Sequence, residues 1–98
     1  INNANRDRDT QIMADDGNVV LHVDAGTNRV GVNTDSPLVA LDVNGGLRVQ
    51  SDSIAISNSK TPSSASDTGQ AGQICWDTNY LYVCVSTNTW KRIALSSW

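Results

Sequence analysis

The chain has 98 residues and a mass of 10.5 kDa, enough for one small domain or two very small units. Gly, Pro, Asn, Asp and Ser fill 40 positions, all ten acidic residues are Asp and Lys occurs twice, which excludes helical bundles and coiled coils. A net charge of −3 argues against a basic nucleic-acid footprint, and no apolar run is long enough for membrane insertion. With 22 Val, Ile and Leu residues the chain is too apolar to be wholly disordered, so an all-β fold of short strands and many turns remains.

Residues 1–17 are polar and mixed in charge, and they read as a lead-in from a preceding domain with Gln11–Met13 as an edge strand. The start at Ile1 and the lack of a signal peptide suggest a piece of something longer.

From 18 to 56 the apolar residues recur two apart, as Leu21/Val23, Val30/Val32, Leu41/Val43, Leu47/Val49 and Ile54/Ile56. That spacing puts both members of a pair on one face of a short strand. Turn clusters separate the pairs, and Asn44-Gly45 signals a hairpin turn. No aromatic residue occurs before Trp76, so this half has no large side chains with which to close a core by itself. The pattern therefore predicts an intertwined homotrimeric β-rod, the ten paired aliphatics lining the trimer axis. The alternative is a small monomeric sandwich, for which two inward residues per strand make a poor inner face.

Residues 57–72 carry no large apolar side chain and read as a linker or surface-crossing loop. Residues 73–98 then form a small antiparallel β-meander: a first strand ending at Trp76, a strand from Tyr80 to Ser86 and a strand from Trp90 to Leu95. Pairing Trp76 with Tyr80 sets Cys84 opposite position 72. Cys75 and Cys84 then lie roughly 10 Å apart, too far for a disulfide, and both thiols are expected free.

Two stretches resemble a known family. Asn28-Arg-Val-Gly-Val-Asn-Thr-Asp-Ser-Pro37, followed by Ala40-Leu-Asp-Val-Asn-Gly45 and Leu47-Arg-Val49, resembles the shaft repeat of bacteriophage tail fibres and tailspikes. Val32 and Asn33 stand where that repeat usually has Ile and Gly. The second half, from Thr61-Pro62 through Ile74-Cys-Trp-Asp77 and Tyr82-Val-Cys-Val85 to Asn88-Thr-Trp-Lys-Arg92, is similar to a C-terminal, fibre-tip domain of phage fibre proteins. The resemblance implies homotrimeric fibres, a structural place in the virion and receptor binding at the tip. It carries over no catalytic residue.

Chemistry-bearing residues are sparse. His22 alternates with Leu21 and Val23, so it should point away from their face, and it has no obvious triad or metal partners. The Asp residues, including Asp15, Asp16 and Asp24, sit in turns, where carboxylates cap their own backbone. They lack the spacing of a calcium loop, and no glycine-rich segment precedes a helix as phosphate binding requires. No metal, cofactor or enzymatic activity is therefore expected. In the meander, alternation puts Leu81, Val83 and Val85 on one face and Tyr80, Tyr82 and Cys84 on the other. If the aliphatic side is the core, Tyr80, Tyr82, Trp90 and Arg92 make an outer face. It could stack on sugar rings of a bacterial surface glycan or contact a protein receptor; the alternative is that the aromatic residues pack against a neighbouring subunit or in the core. Asp77, Asn79 and Asn88 in the flanking turns supply the polar groups of such a receptor site. The functional expectation is a virion fibre segment whose tip attaches to the bacterial surface; the rival is a purely structural trimerisation module without a ligand.

Overall fold

Seven strands form where the apolar residues alternate, and the computed structural model, which describes all 98 residues, contains no helix. The chain is all-β and divides into two units, Ile1–Ser51 and Asp52–Trp98.

The first unit holds β1 (Thr10–Met13), β2 (Val19–Asp24), β3 (Arg29–Val32) and β4 (Leu41–Val43), hydrogen-bonded in that order. Asp16 and Asp24 shape the turns around β2. The Asp16 carboxylate accepts the Asn18 amide at 3.0 Å, and that of Asp24 accepts those of Gly26 and Thr27 at 3.1 and 3.2 Å. Asn28 takes a left-handed conformation (φ 59°) into β3. β3 and β4 are parallel, joined by residues 33–40, fewer than the dozen or so such a crossover normally needs. Asn33 in the left-handed region (φ 57°), buried Pro37 and a 3.3 Å hydrogen bond from the Arg29 guanidinium to the Pro37 carbonyl hold this tight return.

Pairing aligns Ile12, Leu21, Val32 and Val43 in one row, and Val23, Val30 and Leu41 in the next. Aliphatic side chains thus cover one face of the sheet and none of them is buried; Leu41 is 57% exposed. The other face carries Gln11, His22, Gly31 and Asp42. His22 lies opposite Leu21 and Val23 as alternation requires, but it is buried instead of facing solvent.

Two expectations fail here. Asn44-Gly45 turns no hairpin, because Asn44 spends its groups on the end of β3: its amide donates to Val32 O at 2.9 Å and its side chain to Asn33 O at 3.1 Å. Nor do Leu47/Val49 and Ile54/Ile56 form strands. A strand needs a hydrogen-bonding neighbour, and the single chain supplies none there.

The second unit is the meander β5 (Ile74–Trp76), β6 (Tyr80–Ser86) and β7 (Thr89–Ala94). Its register is one residue off the expected one: Trp76 pairs with Leu81, so the Cys84 amide donates to Gln73 O. Both cysteines are free and buried on the same face.

The core is on the aromatic side, so the condition on which Tyr82 and Trp90 would form an outer face is not met. Cys75, Tyr82, Cys84 and Trp90 are buried with Tyr80 packed against them, whereas Ile74, Leu81, Val85, Ile93 and Leu95 are exposed. The reason lies in residues 57–72, which cover the aromatic face. Backbone bonds from Lys60 to Trp76, from Trp90 to Ala65 and from Gly72 to Cys84, each 2.7–2.8 Å, hold the segment down. Buried indole and phenol groups need partners for their polar ends. The loop gives Trp90 one, its indole donating to Asp67 O at 3.1 Å; the half-buried Trp76, on the face of Leu81, donates to Ile56 O at 2.7 Å just before the segment. Gly69 makes the cover fit, since a Cβ there would lie 2.7 Å from the Trp90 ring.

Candidate functional site

The seven residues singled out as a receptor site all lie on β6, β7 and the turns that flank them. Asp77 is the centre of the arrangement. One carboxylate oxygen accepts the amides of Asn79 and Tyr80, both at 2.8 Å, forming the turn into β6. The other accepts the hydroxyls of Thr61 and Tyr82, both at 2.6 Å. Four donors on one carboxylate stabilise its charged form, and the Thr61 and Tyr82 hydroxyls above all hold it well below the ordinary range. The reciprocal effect raises Tyr82: its hydrogen bond to Asp77 and its burial favour the neutral phenol, opposed by hydrogen bonding to Arg92 and by the Arg92 charge.

Tyr80 and Tyr82 stack at 5.7 Å between centroids with a 49° tilt, and the Arg92 guanidinium sits 4.0 Å above the Tyr80 ring. Trp90 is buried with its indole nitrogen bonded. Asn88, left-handed at φ 53°, exchanges hydrogen bonds with Gly69: its amide donates to Gly69 O and its side-chain oxygen accepts from Gly69 N, each at 3.0 Å. Asp77, Tyr82, Asn88 and Trp90 therefore spend their polar groups inside the unit. Asn79 and Arg92 are exposed and Tyr80 is half-buried, which leaves these three to meet a ligand.

Of the ten candidate axis residues, Leu21, Val23, Val30, Val32, Leu41 and Val43 share the aliphatic sheet face of the first unit. Leu47 and Val49 are exposed outside any strand of that unit, as are Ile54 and Ile56 in the second.

Another cluster gathers around His22. Its Nδ1 lies 2.9 Å from the Gln11 amide nitrogen and its Nε2 3.3 Å from Asp9. The first contact makes Nδ1 the acceptor, so Nε2 donates to the carboxylate. Carboxylate oxygens of Asp7, Asp9 and Asp24 come within 4.8 Å of one another, the closest this chain comes to a set of metal ligands. Asp9 and Asp24 are occupied by backbone amides, Asp9 accepting that of Ala25 at 3.0 Å.

Sequence reasoning missed Thr61, Asp67 and Gly69, which fasten the cover to the aromatic face. The available signals were modest: Asp77-x-Asn79 is an Asx-turn pattern, and a glycine in a ring-free segment can mark a close approach to a large side chain.

No protein-family model and no solved structure matches the chain. Two curated relatives are similar over short stretches. A capsule K30/K69-specific depolymerase of Klebsiella phage K64-1 is 49% identical over 37 residues, 38% of this chain and 5% of the relative. Depolymerase 1, also capsule K30/K69-specific, of Klebsiella phage K5-2 is 56% identical over 36 residues, 37% of this chain and 4% of the relative. The match is thus confined to a small fraction of much longer proteins. Over more than a third of its length, this chain is similar to capsule-specific depolymerases of two Klebsiella phages.

Proposed function

We propose that this chain is a segment of a phage tail appendage, a homotrimeric fibre or spike carried on the virion, that helps attach the particle to bacterial surface polysaccharide. One observation carries the reading: each unit leaves a largely aliphatic sheet face unburied, Leu21 to Val43 in the first and Ile74, Leu81, Val85 and Ile93 in the second. Faces of this kind belong against other chains, and parallel copies would present identical ones to each other. Similarity to phage proteins named for bacterial capsules supports the setting.

Hydrolysis is not the role we assign to these residues, although both relatives are named depolymerases. A glycosidase needs a carboxylic acid with a raised pKa beside a second carboxylate. Here every carboxylate with a resolved shift, Asp16, Asp24, Asp67 and Asp77, is shifted downward by hydrogen bonds. The second reading is a structural module without a ligand, favoured by the internal use of Asp77, Tyr82, Asn88 and Trp90.

Sedimentation equilibrium of the chain, followed by co-sedimentation with purified capsular polysaccharide, tests both parts. The expected result is a trimer that is retained by the polysaccharide. A stable folded 10.5 kDa monomer at micromolar concentration overturns the assembly. A trimer that retains no polysaccharide favours the structural module.

A further inference from the structure

The covering segment does more than bury rings: where it meets β7 it leaves a groove. Pro62, Ser63, Ser64 and Ala65 form one wall and Arg92 the other, with Tyr82 and Trp90 at the floor, around a cavity of about 290 Å³; Lys91 borders it, but its side chain belongs to the face of Val83. The geometry points to this groove as a subsite for one acidic sugar unit, a saccharide ring bearing a carboxylate. The inference rests on the attachment reading above and specifies its ligand.

Four observations support the subsite. The first is charge: Arg92 has no carboxylate within ion-pair distance, the only such contact in the chain being His22 with Asp9. The nearest acid of the meander, Asp77, is saturated by four donors. Arg92 is steadied by the Tyr80 ring beneath it and by the Tyr82 hydroxyl, and the rest of its planar fork has no carboxylate partner and can take one from a ligand.

The second is rigidity. The Ser63 amide donates to Asp67 at 2.9 Å, Ala65 O accepts the Trp90 amide at 2.8 Å, and Pro62 is buried. The wall is therefore held in place, with the Ser63 side chain also turned to the Asp67 carboxylate. The third is size. About 290 Å³ is at the lower end of the roughly 300–1,000 Å³ of small-molecule pockets, suited to one ring and not an oligosaccharide. The fourth is position. Tyr82, Trp90 and Arg92 occupy the face opposite Leu81, Val83 and Ile93, so copies packed on the aliphatic side would leave the groove open.

The test titrates the full chain with a glucuronate-containing disaccharide and with its carboxyl-reduced counterpart, read by amide and indole NMR shifts. The acidic disaccharide should shift the Ser63–Ala65 amides and the Trp90 indole, and the reduced one should bind roughly tenfold or more weakly, as loss of a charged hydrogen bond implies. Arg92→Gln should abolish that preference and Arg92→Lys keep part of it. Equal binding of the two sugars, or a preference unchanged by Arg92→Gln, overturns the subsite. Retention on capsular polysaccharide with acidic-disaccharide shifts confined to other residues sinks the subsite while the attachment reading stands. No binding to either sugar or to the polysaccharide removes both.

Discussion

Asp77 shows how a residue read as a contact group becomes a structural one. Its carboxylate accepts two turn amides and the hydroxyls of Thr61 and Tyr82, and so ties the covering segment, the turn and β6 to one another. Its folded pKa is depressed below the ordinary 3.8. Its contribution to stability is therefore present at pH values above that ordinary value and is lost as the pH falls through the depressed one. Trp76, Trp90 and Trp98 all lie in the second unit, so tryptophan emission during urea unfolding reports on this region. The wild-type midpoint is expected to fall as the pH drops below about 4, with a lesser contribution in the same direction from Asp67. Asp77→Asn should lower the midpoint at neutral pH and flatten the acid dependence. A variant with the wild-type acid slope would show that other carboxylates set it.

At the scale of elements, the decisive piece has no regular secondary structure. Residues 57–72 determine which face of the meander is the core, because they bring the Asp67 carbonyl to the Trp90 indole and place Gly69 under that ring. Gly69→Ala forces a methyl group against the ring, and overpacking of this kind costs about 1–3 kcal/mol. Gly46→Ala is the control: nothing lies within 4 Å of its added Cβ and its φ is not in the left-handed region, so little change is expected. Urea midpoints measured by the same emission compare the two. Equal effects would mean that the Gly69 contact is not tight in solution. The strands themselves were readable. β2, β3, β4 and the three strands of the meander fall where the two-residue alternation put them, since alternation and turn chemistry are local. The pairs at 47/49 and 54/56 have the same alternation and form no strand, because pairing also requires a neighbour.

At the scale of the whole molecule, the aliphatic faces dominate. Ile93 is 63% exposed in the single chain; Leu81 pairs with it and Trp76 lies beyond Leu81 in the same row. In a chain that stays monomeric, Ile93→Asp should change stability by no more than about 0.5 kcal/mol, as surface substitutions do. In the proposed trimer the same change buries a charge without a partner and should dissociate the assembly. Sedimentation equilibrium of the variant beside the wild type separates the two cases. A variant that remains as trimeric as the wild type would remove this face from the interface.

The sequence by itself determined the class of structure and most of its elements: an all-β chain, turns at the Asp and Asn clusters, aliphatic pairs on one sheet face and a three-stranded meander after residue 72. Those properties follow from backbone preferences and from period-two alternation, both of which act over a few residues. It also singled out Asp77, Tyr80, Tyr82, Asn88, Trp90 and Arg92 as the residues of interest, because aromatic and turn-forming types are concentrated there. Only the tertiary structure decided what each of them does. Alternation defines two faces without saying which is covered, and that choice depended on a ring-free segment whose Asp67 carbonyl satisfies the buried Trp90 indole. Once that segment was in place, Trp90 and Tyr82 became core, Asn88 and Asp77 became fasteners, and Arg92 was left as an unpaired cation above the Tyr80 ring. Long-range hydrogen bonds made these assignments, and no local pattern encodes them.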